Sequence, residues 1–523
     1  MTNIPKYPVD IQSFSVMRNE GYLYVDKTEL IYHLANNHYY VFLSRPRRFG
    51  KTLLMSTLEA YFKGEKELFA GLAMEHLEKD WISYPVLRFD LSAENFKDLS
   101  RVISHLEWLL SRIERRYGMT GSGTISQRLS DVIEHVHEQT GRKVVVLIDE
   151  YDKPMLDTLH NDEMQEEVKN ELRAFYSVLK SSYEHVRFVM LTGVTKFGKV
   201  SIFSGLNNLT DISMVREYDS ICGITQAEFD RYFTHSVEHF AGHNNLTVDE
   251  AKAKFKDYYD GYHFAIPGAE IYNPFSVFYA FRFNSLDQYW FASGSSTFLV
   301  KLLMRHPYRL NELDRAQRTG AELSDITELS GDIVPLLYQS GYLTLRDYDA
   351  ESGEYTLGFP NQEVYKAFWS SLAKHLFAST ENVNGYGLKG MTEDLMKGDA
   401  DAFLLKVKSL FGSVSSEYEA VKEVHFQNMM AVIARMLGFT VRTEVHSSAG
   451  RCDMTIFTPS YIYLFEYKVD KAPKTALEQI YDKAYYLPYL ADGRTMFAIG
   501  VEFSTRTRAI SRWTIEEISK DKS

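Results

Sequence analysis

The sequence predicts a multidomain α/β protein. A parallel sheet sandwiched between helices forms the N-terminal part, followed by a mainly helical middle and a smaller C-terminal α/β unit. Three observations lead there. An apolar run, Tyr39 to Leu43, leads straight into Ser44-Arg45-Pro46-Arg47-Arg48-Phe49-Gly50-Lys51-Thr52, after which Leu53, Leu54, Leu58 and Tyr61 recur at helical spacing. A second apolar run, Val144 to Ile148, ends in Asp149-Glu150; an uninterrupted apolar strand suits the centre of a parallel sheet, buried on both faces. Past a small polar stretch, Gly412 to Ser416, helix and strand patterns alternate again around Asp453, Glu466 and Lys468.

Length and composition set the bounds. At 523 residues the chain has room for about three or four domains, each with its own core. Its apolar and charged fractions, 45% and 24%, are those of globular protein rather than disorder. Met1 to Asp10 is polar, unlike a signal peptide, and no later run approaches the roughly 18 apolar residues of a membrane span. The only cysteines, Cys222 and Cys452, cannot build a disulfide framework or a Cys-rich zinc site; they fit a reducing cytoplasm, the expected location. A net charge of −12 argues against a surface committed throughout to nucleic acid. From Val421 onward, however, about 14 Lys/Arg stand against about 12 Asp/Glu, so this end is near +2 and the rest near −14.

Taken in order, Tyr24-Val25-Asp26-Lys27-Thr28 precedes an amphipathic helix, with Asp26 either its N-cap or a polar contact to nucleotide. Strand, tight loop, Lys-Thr and helix are then what a phosphate-binding loop needs. Backbone N–H groups of Arg47 to Gly50 and the helix N-terminus face phosphates, Lys51 reaches the terminal ones, and the Thr52 hydroxyl goes to Mg²⁺. The general pattern G-x-x-x-x-G-K-T wants glycine where this chain has Arg45. Arg45, Arg47 and Arg48 either pair with phosphates or Asp152, or form a solvated basic turn. Tyr84 to Asp90 reads as a strand, and Leu99 to Tyr117 and Ile125 to Thr140 as helices. The acids after Val144–Ile148 then stand at the carboxyl end of their strand, where Asp149 would hold the Mg²⁺ shell and Glu150 would polarise the attacking water. Another strand, Val186 to Leu191, leads to Thr192, which either senses the terminal phosphate or is a hydroxyl satisfied in its turn.

From 220 to about 330 the pattern is helical and dense in aromatics such as Phe229, Phe233, Tyr258 and Tyr262, a core stripe. A helix at Val334–Leu337, a hairpin turning at Glu351-Ser352-Gly353 and a helix from Asn361 resemble a winged-helix module. In the C-terminal part, Glu423 starts a helix, and Tyr461 to Lys468 is a strand whose alternation puts Ile462, Leu464, Glu466 and Lys468 on one face. Glu and Lys are not normally buried unpaired. With Asp453 on the neighbouring strand, two carboxylates and an ammonium converge: the acids suit a hard divalent ion, and Lys468 would position water or stabilise charge on a phosphate. Glu423 could complete the metal shell, and Gln479 flanks the core stripe Leu477, Ile480, Ala484 and Leu487 of the next helix. The alternative for Glu466 and Lys468 is a surface ion pair on an edge strand.

Arg45–Thr52, Tyr24–Thr28, Asp149-Glu150-Tyr151-Asp152, Tyr272-Asn273-Pro274-Phe275 and Gln339–Leu343 together resemble the bacterial AAA-ATPase-like family. That family itself has Arg-Pro-Arg-Arg-Phe-Gly-Lys, so Arg45 departs from the general loop but not from the family. Gly450-Arg451-Cys452-Asp453, Glu466-Tyr467-Lys468 and Gln479 resemble the PD-(D/E)XK nuclease superfamily domain often joined to it. The resemblance implies a P-loop ATPase domain at 1–220, a helical domain at 221–330, a winged-helix-like and helical region at 331–411 and a nuclease-like domain at 417–523. It also implies ATP and Mg²⁺ at Lys51, Thr52 and Asp149, and a nuclease using Mg²⁺ or Mn²⁺ at Asp453, Glu466 and Lys468. The expected protein is an ATP-binding and ATP-hydrolysing regulator of its own nuclease, acting on DNA or RNA with DNA favoured. The rival is a STAND-like ATPase signalling switch whose C-terminal domain binds nucleic acid or protein without cutting. A nucleotide-binding scaffold without hydrolysis is the third reading, against which Glu150 argues. Homo-oligomerisation is left open, and no membrane partner is expected.

Overall fold

The computed structural model describes residues 4–159, 161–196, 203, 206, 208–292, 310–324, 326, 332–376, 385–411, 423–447 and 450–518. The expected linker Gly412–Ser416 and most of the loop from 195 to 208 lie outside the described residues. Packing gathers the chain into two units, Met1–Gly294 with Arg315–Val364, and Ser295–Asp314 with Tyr365–Ser523. The expected segments 221–330 and 331–411 are therefore each shared between the units.

The first unit is built on a five-stranded sheet, β1 (Tyr40–Ser44), β2 (Val86–Asp90), β3 (Val144–Asp149), β4 (Val186–Gly193) and β5 (Thr210–Asp211), in the order β2-β3-β4-β1-β5. All its pairings are parallel, so every strand ends at the same edge. Register places Ser44 beside Gly193 on one side and Asp149 beside Asp90 on the other, which lines the strand ends up along the edge where ligands bind in open α/β sheets. β3 is buried at every residue, as its unbroken apolar run requires. The helices Leu99–Arg116, Ile125–Thr140 and Asp162–Ser181 pack together, and Lys51–Phe62 packs on β3.

Beyond the sheet, β6 (Ile224–Thr225) pairs with β7 (Ile271–Tyr272) at the base of three helices, Gln226–His243, Val248–Tyr259 and Pro274–Phe283. Capping boxes at Thr225/Glu228 and Thr247/Glu250 start the first two, and Asn273 with a following proline starts the third. Phe229, Phe233, Phe240, Phe255 and Phe281 fill their common core. The winged-helix-like segment is a three-stranded sheet, β8 (Gln317–Thr319), β9 (Thr344–Asp349) and β10 (Glu354–Gly358), ordered β8-β10-β9, with the short helix Val334–Gln339 before the hairpin.

The second unit carries a mixed sheet of β11 (Thr440–Ser447), β12 (Gly450–Phe457), β13 (Tyr461–Val469), β14 (Thr495–Ser504) and β15 (Ala509–Glu517), in sequential order. Only β13 and β14 are parallel; the helix Pro473–Asp482 makes the crossover between them, as a parallel pair demands. That helix is shorter than the expected stripe. Leu477 and Ile480 are buried, but the helix ends before Ala484, which adopts φ 49°, and Leu487 is 47% exposed. The edge-strand alternative for Glu466 and Lys468 also fails, since β13 lies between β12 and β14. Among the described residues, no helix is long and apolar enough to cross a membrane.

Candidate functional site

The phosphate-binding loop leaves β1 and turns into the helix Lys51–Phe62 through Gly50, whose φ of 98° admits no ordinary side chain. Lys51 is 3% exposed. Its ammonium donates to the carbonyls of Arg45 at 3.1 Å and Pro46 at 3.4 Å and lies 3.4 Å from Glu150 Oε1. Asp149 is 1% exposed; its Oδ1 accepts from Thr192 Oγ1 at 2.6 Å and from the Glu150 amide at 3.1 Å. Among the described residues its Oδ2 has no hydrogen-bond partner, and Arg88 Nη2 stands 3.8 Å from it. Burial and the neighbouring Glu150 push the Asp149 carboxyl above its ordinary range, against the pull of Thr192, Lys51 and Thr52. Glu150 itself is held at φ 54°, a left-handed backbone that costs a non-glycine residue about 1–3 kcal/mol and recurs at functional sites. Lys51, Thr52, Asp149, Glu150 and Thr192 therefore come together at the carboxyl edge of the sheet. Thr192, one of the open alternatives, is fully buried and bonded to the site acid.

The arginines of the loop separate. Arg45 is buried and donates to the carbonyls of Ser44, Ser213 and Tyr218, with its guanidinium 4.0 Å over the Phe264 ring. Its partners are carbonyls rather than Asp152, and it is not a solvated turn residue: a cation so placed stitches the loop base to the segment after β5. Asp152 instead accepts from the amides of Val194 and Thr195 and from the Thr195 hydroxyl, and burial raises its carboxyl to about 6. Phe49 packs its ring between Tyr262 and Phe264, at 4.8 and 5.5 Å, so it anchors the loop. Arg47 and Arg48 line a cavity of about 380 Å³ together with Gly50, Lys51, Thr52 and Glu150.

Sequence reasoning gave no site role to Lys27, Trp290 or Gly341. Asp26, one of the open alternatives, is engaged by the amides of Thr28 and Ala73, whereas its neighbour Lys27 lines the cavity, paired with Glu228 at 2.6 Å. Trp290 donates its indole N–H to the Arg47 carbonyl at 2.9 Å and its amide to the buried Glu363 at 2.7 Å. Gly341 closes the same side: a Cβ there would stand 2.6 Å from Pro46. The density of aromatics after 258 is the one sequence signal that pointed this way.

In the second unit, Asp453 Oδ2 accepts from the Tyr467 amide at 2.8 Å, and its Oδ1 lies 3.3 Å from Gln427 Nε2. Glu466 is 2% exposed; Lys468 donates to its Oε1 at 2.9 Å, and among the described residues its Oε2 has no hydrogen-bond partner. Burial and the adjacent Asp453 raise the Glu466 carboxyl to about 7. Glu423 begins the helix Glu423–Met436, but its side chain lies outside the described ones. Gln479 donates to the Tyr485 hydroxyl at 3.1 Å, so its recorded contact is to the turn after its own helix and not to the acids. Among the described residues, no three metal-ligating side chains cluster. The buried Glu466, with one oxygen unbonded among the described residues, and the half-buried Asp453 nevertheless form a hard, oxygen-only donor set that suits a divalent cation. Asp149 Oδ2 beside Thr52 offers the same chemistry in the first unit.

The two sites define a P-loop α/β core and a PD-(D/E)XK-type mixed sheet. Residues 8–203 match the family model described as "Predicted AAA-ATPase", and residues 421–513 match that of the PD-(D/E)XK nuclease superfamily. Across 528 aligned residues the chain is 35% identical to an uncharacterized protein in the vnfD 5' region of Azotobacter chroococcum, covering 98% of this chain and 99% of that one. The chain belongs to the AAA-ATPase-like family and ends in a PD-(D/E)XK superfamily domain.

Proposed function

We propose that this protein binds and hydrolyses ATP in its first unit and thereby controls a divalent-cation-dependent nuclease in its second. The observation that carries the reading is the Asp453–Glu466–Lys468 group: a buried glutamate with a bare oxygen and a raised pKa, set beside a second carboxylate and a lysine. Such a group destabilises the fold unless it has a use. Asp453 and Glu466 would hold Mg²⁺ or Mn²⁺, which lowers the pKa of water and neutralises charge on a phosphodiester. Lys468 donates to the water or to a phosphoryl oxygen. Water adds to phosphorus, one ester oxygen leaves with a proton, and a phosphomonoester and an alcohol result.

In the first unit, Lys51 exchanges its carbonyl partners for phosphate oxygens, and that exchange frees Glu150 from its ion pair to orient the attacking water. Thr52 and Asp149 would hold the magnesium that shields the phosphates. The test incubates the full chain with mixed DNA and RNA, Mg²⁺ or Mn²⁺, with and without ATP, beside Asp453→Ala. Cleavage by the wild type that the variant lacks supports the reading. A folded, metal-binding wild type that cuts neither nucleic acid in any nucleotide state overturns it in favour of the signalling switch.

A further inference from the structure

The cavity at the phosphate-binding loop continues past it. Lys51 and Thr52 line it together with Phe275 and Tyr279 from the helix Pro274–Phe283 and Asp10 and Ile11 from the N-terminal segment. The aromatic pair is laid out as a platform. Phe275 and Tyr279 are one helical turn apart with ring centroids at 4.4 Å, and the row extends along the helix to Phe283, 5.7 Å further on. The Arg48 guanidinium lies 4.9 Å over Phe275, joining the loop to the platform. The opposite wall is tied to the same helix: both Asp10 oxygens lie 3.2 Å from the Tyr279 hydroxyl, and Tyr7 stacks on Phe281 at 5.8 Å.

Half-buried aromatic rings that line a cavity, with a guanidinium over one of them, are the chemistry that receives a planar π system. The same cavity is lined by Gly50, Lys51 and Thr52, which the proposed function assigns to phosphates. Its volume of about 380 Å³ is that of a small-molecule site, more than the phosphates alone call for. We infer that Phe275 and Tyr279 form the nucleobase subsite of this protein, stacking the base of a nucleoside triphosphate while Arg48 bridges base and phosphates. The inference rests on the nucleotide-binding reading above and adds to it the residues that recognise the organic half of the ligand. A helix of the aromatic segment, outside the residues 8–203 matched to the ATPase model, thus forms one wall of the nucleotide site.

Calorimetric titration of the full chain with Mg²⁺-ATP and, separately, Mg²⁺-tripolyphosphate tests it. The wild type is expected to bind ATP at least about tenfold more tightly than tripolyphosphate. Phe275→Ala and Tyr279→Ala should each remove most of that advantage while leaving tripolyphosphate affinity unchanged, which also shows that the loop is still folded. Tyr279→Phe, which keeps the ring, should stay within about twofold of the wild type. Equal wild-type affinity for the two ligands, or alanine variants that bind ATP as the wild type does, overturns the subsite and leaves nucleotide binding standing. A wild type that binds neither ligand overturns the nucleotide-binding reading, and the subsite with it.

Discussion

The two sites of this molecule use the same three groups in different arrangements. In the first unit, Lys51 comes from a loop and its acids from another strand; the lysine is 3% exposed, and its 3.4 Å contact with Glu150 is supplemented by two carbonyls. In the second, Lys468 and Glu466 stand two residues apart on one strand, 2.9 Å from each other, and the lysine side chain is 20% exposed. The first arrangement holds its ammonium in a closed contact, which, under the proposed function, an arriving phosphate would open. The second keeps the lysine near solvent and buries the acid, so the strain falls on Glu466, whose carboxyl rises to about 7. A deeply buried lysine suits a site that responds to ligand arrival; a buried glutamate suits one that waits for a cation.

The largest effect that can break this comparison is in the first unit. Lys51→Ala should abolish measurable nucleotide binding, whereas Glu150→Gln should bind ATP at least as well as wild type and lose about 10²–10³-fold in phosphate release. If both variants lose binding alike, Glu150 acts on binding rather than on water. Next comes Lys468→Ala, for which a fall of about 10²–10³-fold in phosphodiester cleavage is expected, with metal affinity retained in a calorimetric titration.

A smaller effect concerns stability. Because the folded-state carboxyl of Glu466 is raised above the ordinary glutamate value, the folded chain binds more protons than the unfolded one between about 4.5 and 7. Without added metal, this group's contribution to stability should therefore decline as pH rises through that window. Glu466→Gln should be the more stable protein at pH 8, by on the order of 1–2 kcal/mol, yet inactive as a nuclease. Chemical denaturation in chelator at pH 5 and pH 8 reads the sign. The smallest effect is that of Trp290→Phe, which removes the indole bond to the Arg47 carbonyl and trims the ring packed on Tyr342, and should weaken ATP binding by about fivefold.

Legibility followed locality. The strand–loop–helix of the phosphate site, the Asp149-Glu150 strand end and the Asp453, Glu466, Lys468 group were all readable, because each is a short run whose pattern and chemistry agree. Arg45 was misread, since a buried guanidinium bonded to three carbonyls looks in sequence like any loop arginine. Trp290 could not be read, and Gly341, though part of the Gln339–Leu343 motif, gave no sign of its contact: both reach the loop only through the fold, from some 240 and 295 residues downstream. The helix after β13 was drawn too long because Ala484 fits an apolar stripe, and nothing in its side chain announces the left-handed backbone that ends the turn.

The central claim is that the nucleotide held by the first unit governs cleavage in the second. Time courses of phosphodiester cleavage by wild type, Lys51→Ala and Glu150→Gln, each without nucleotide, with ATP and with ADP, test it most directly. Wild type should cleave at one rate while ATP lasts and return to its nucleotide-free rate as ATP is exhausted. Glu150→Gln should stay at the ATP rate, and Lys51→Ala should ignore ATP altogether. A single cleavage rate shared by all three proteins in every nucleotide state would contradict the account.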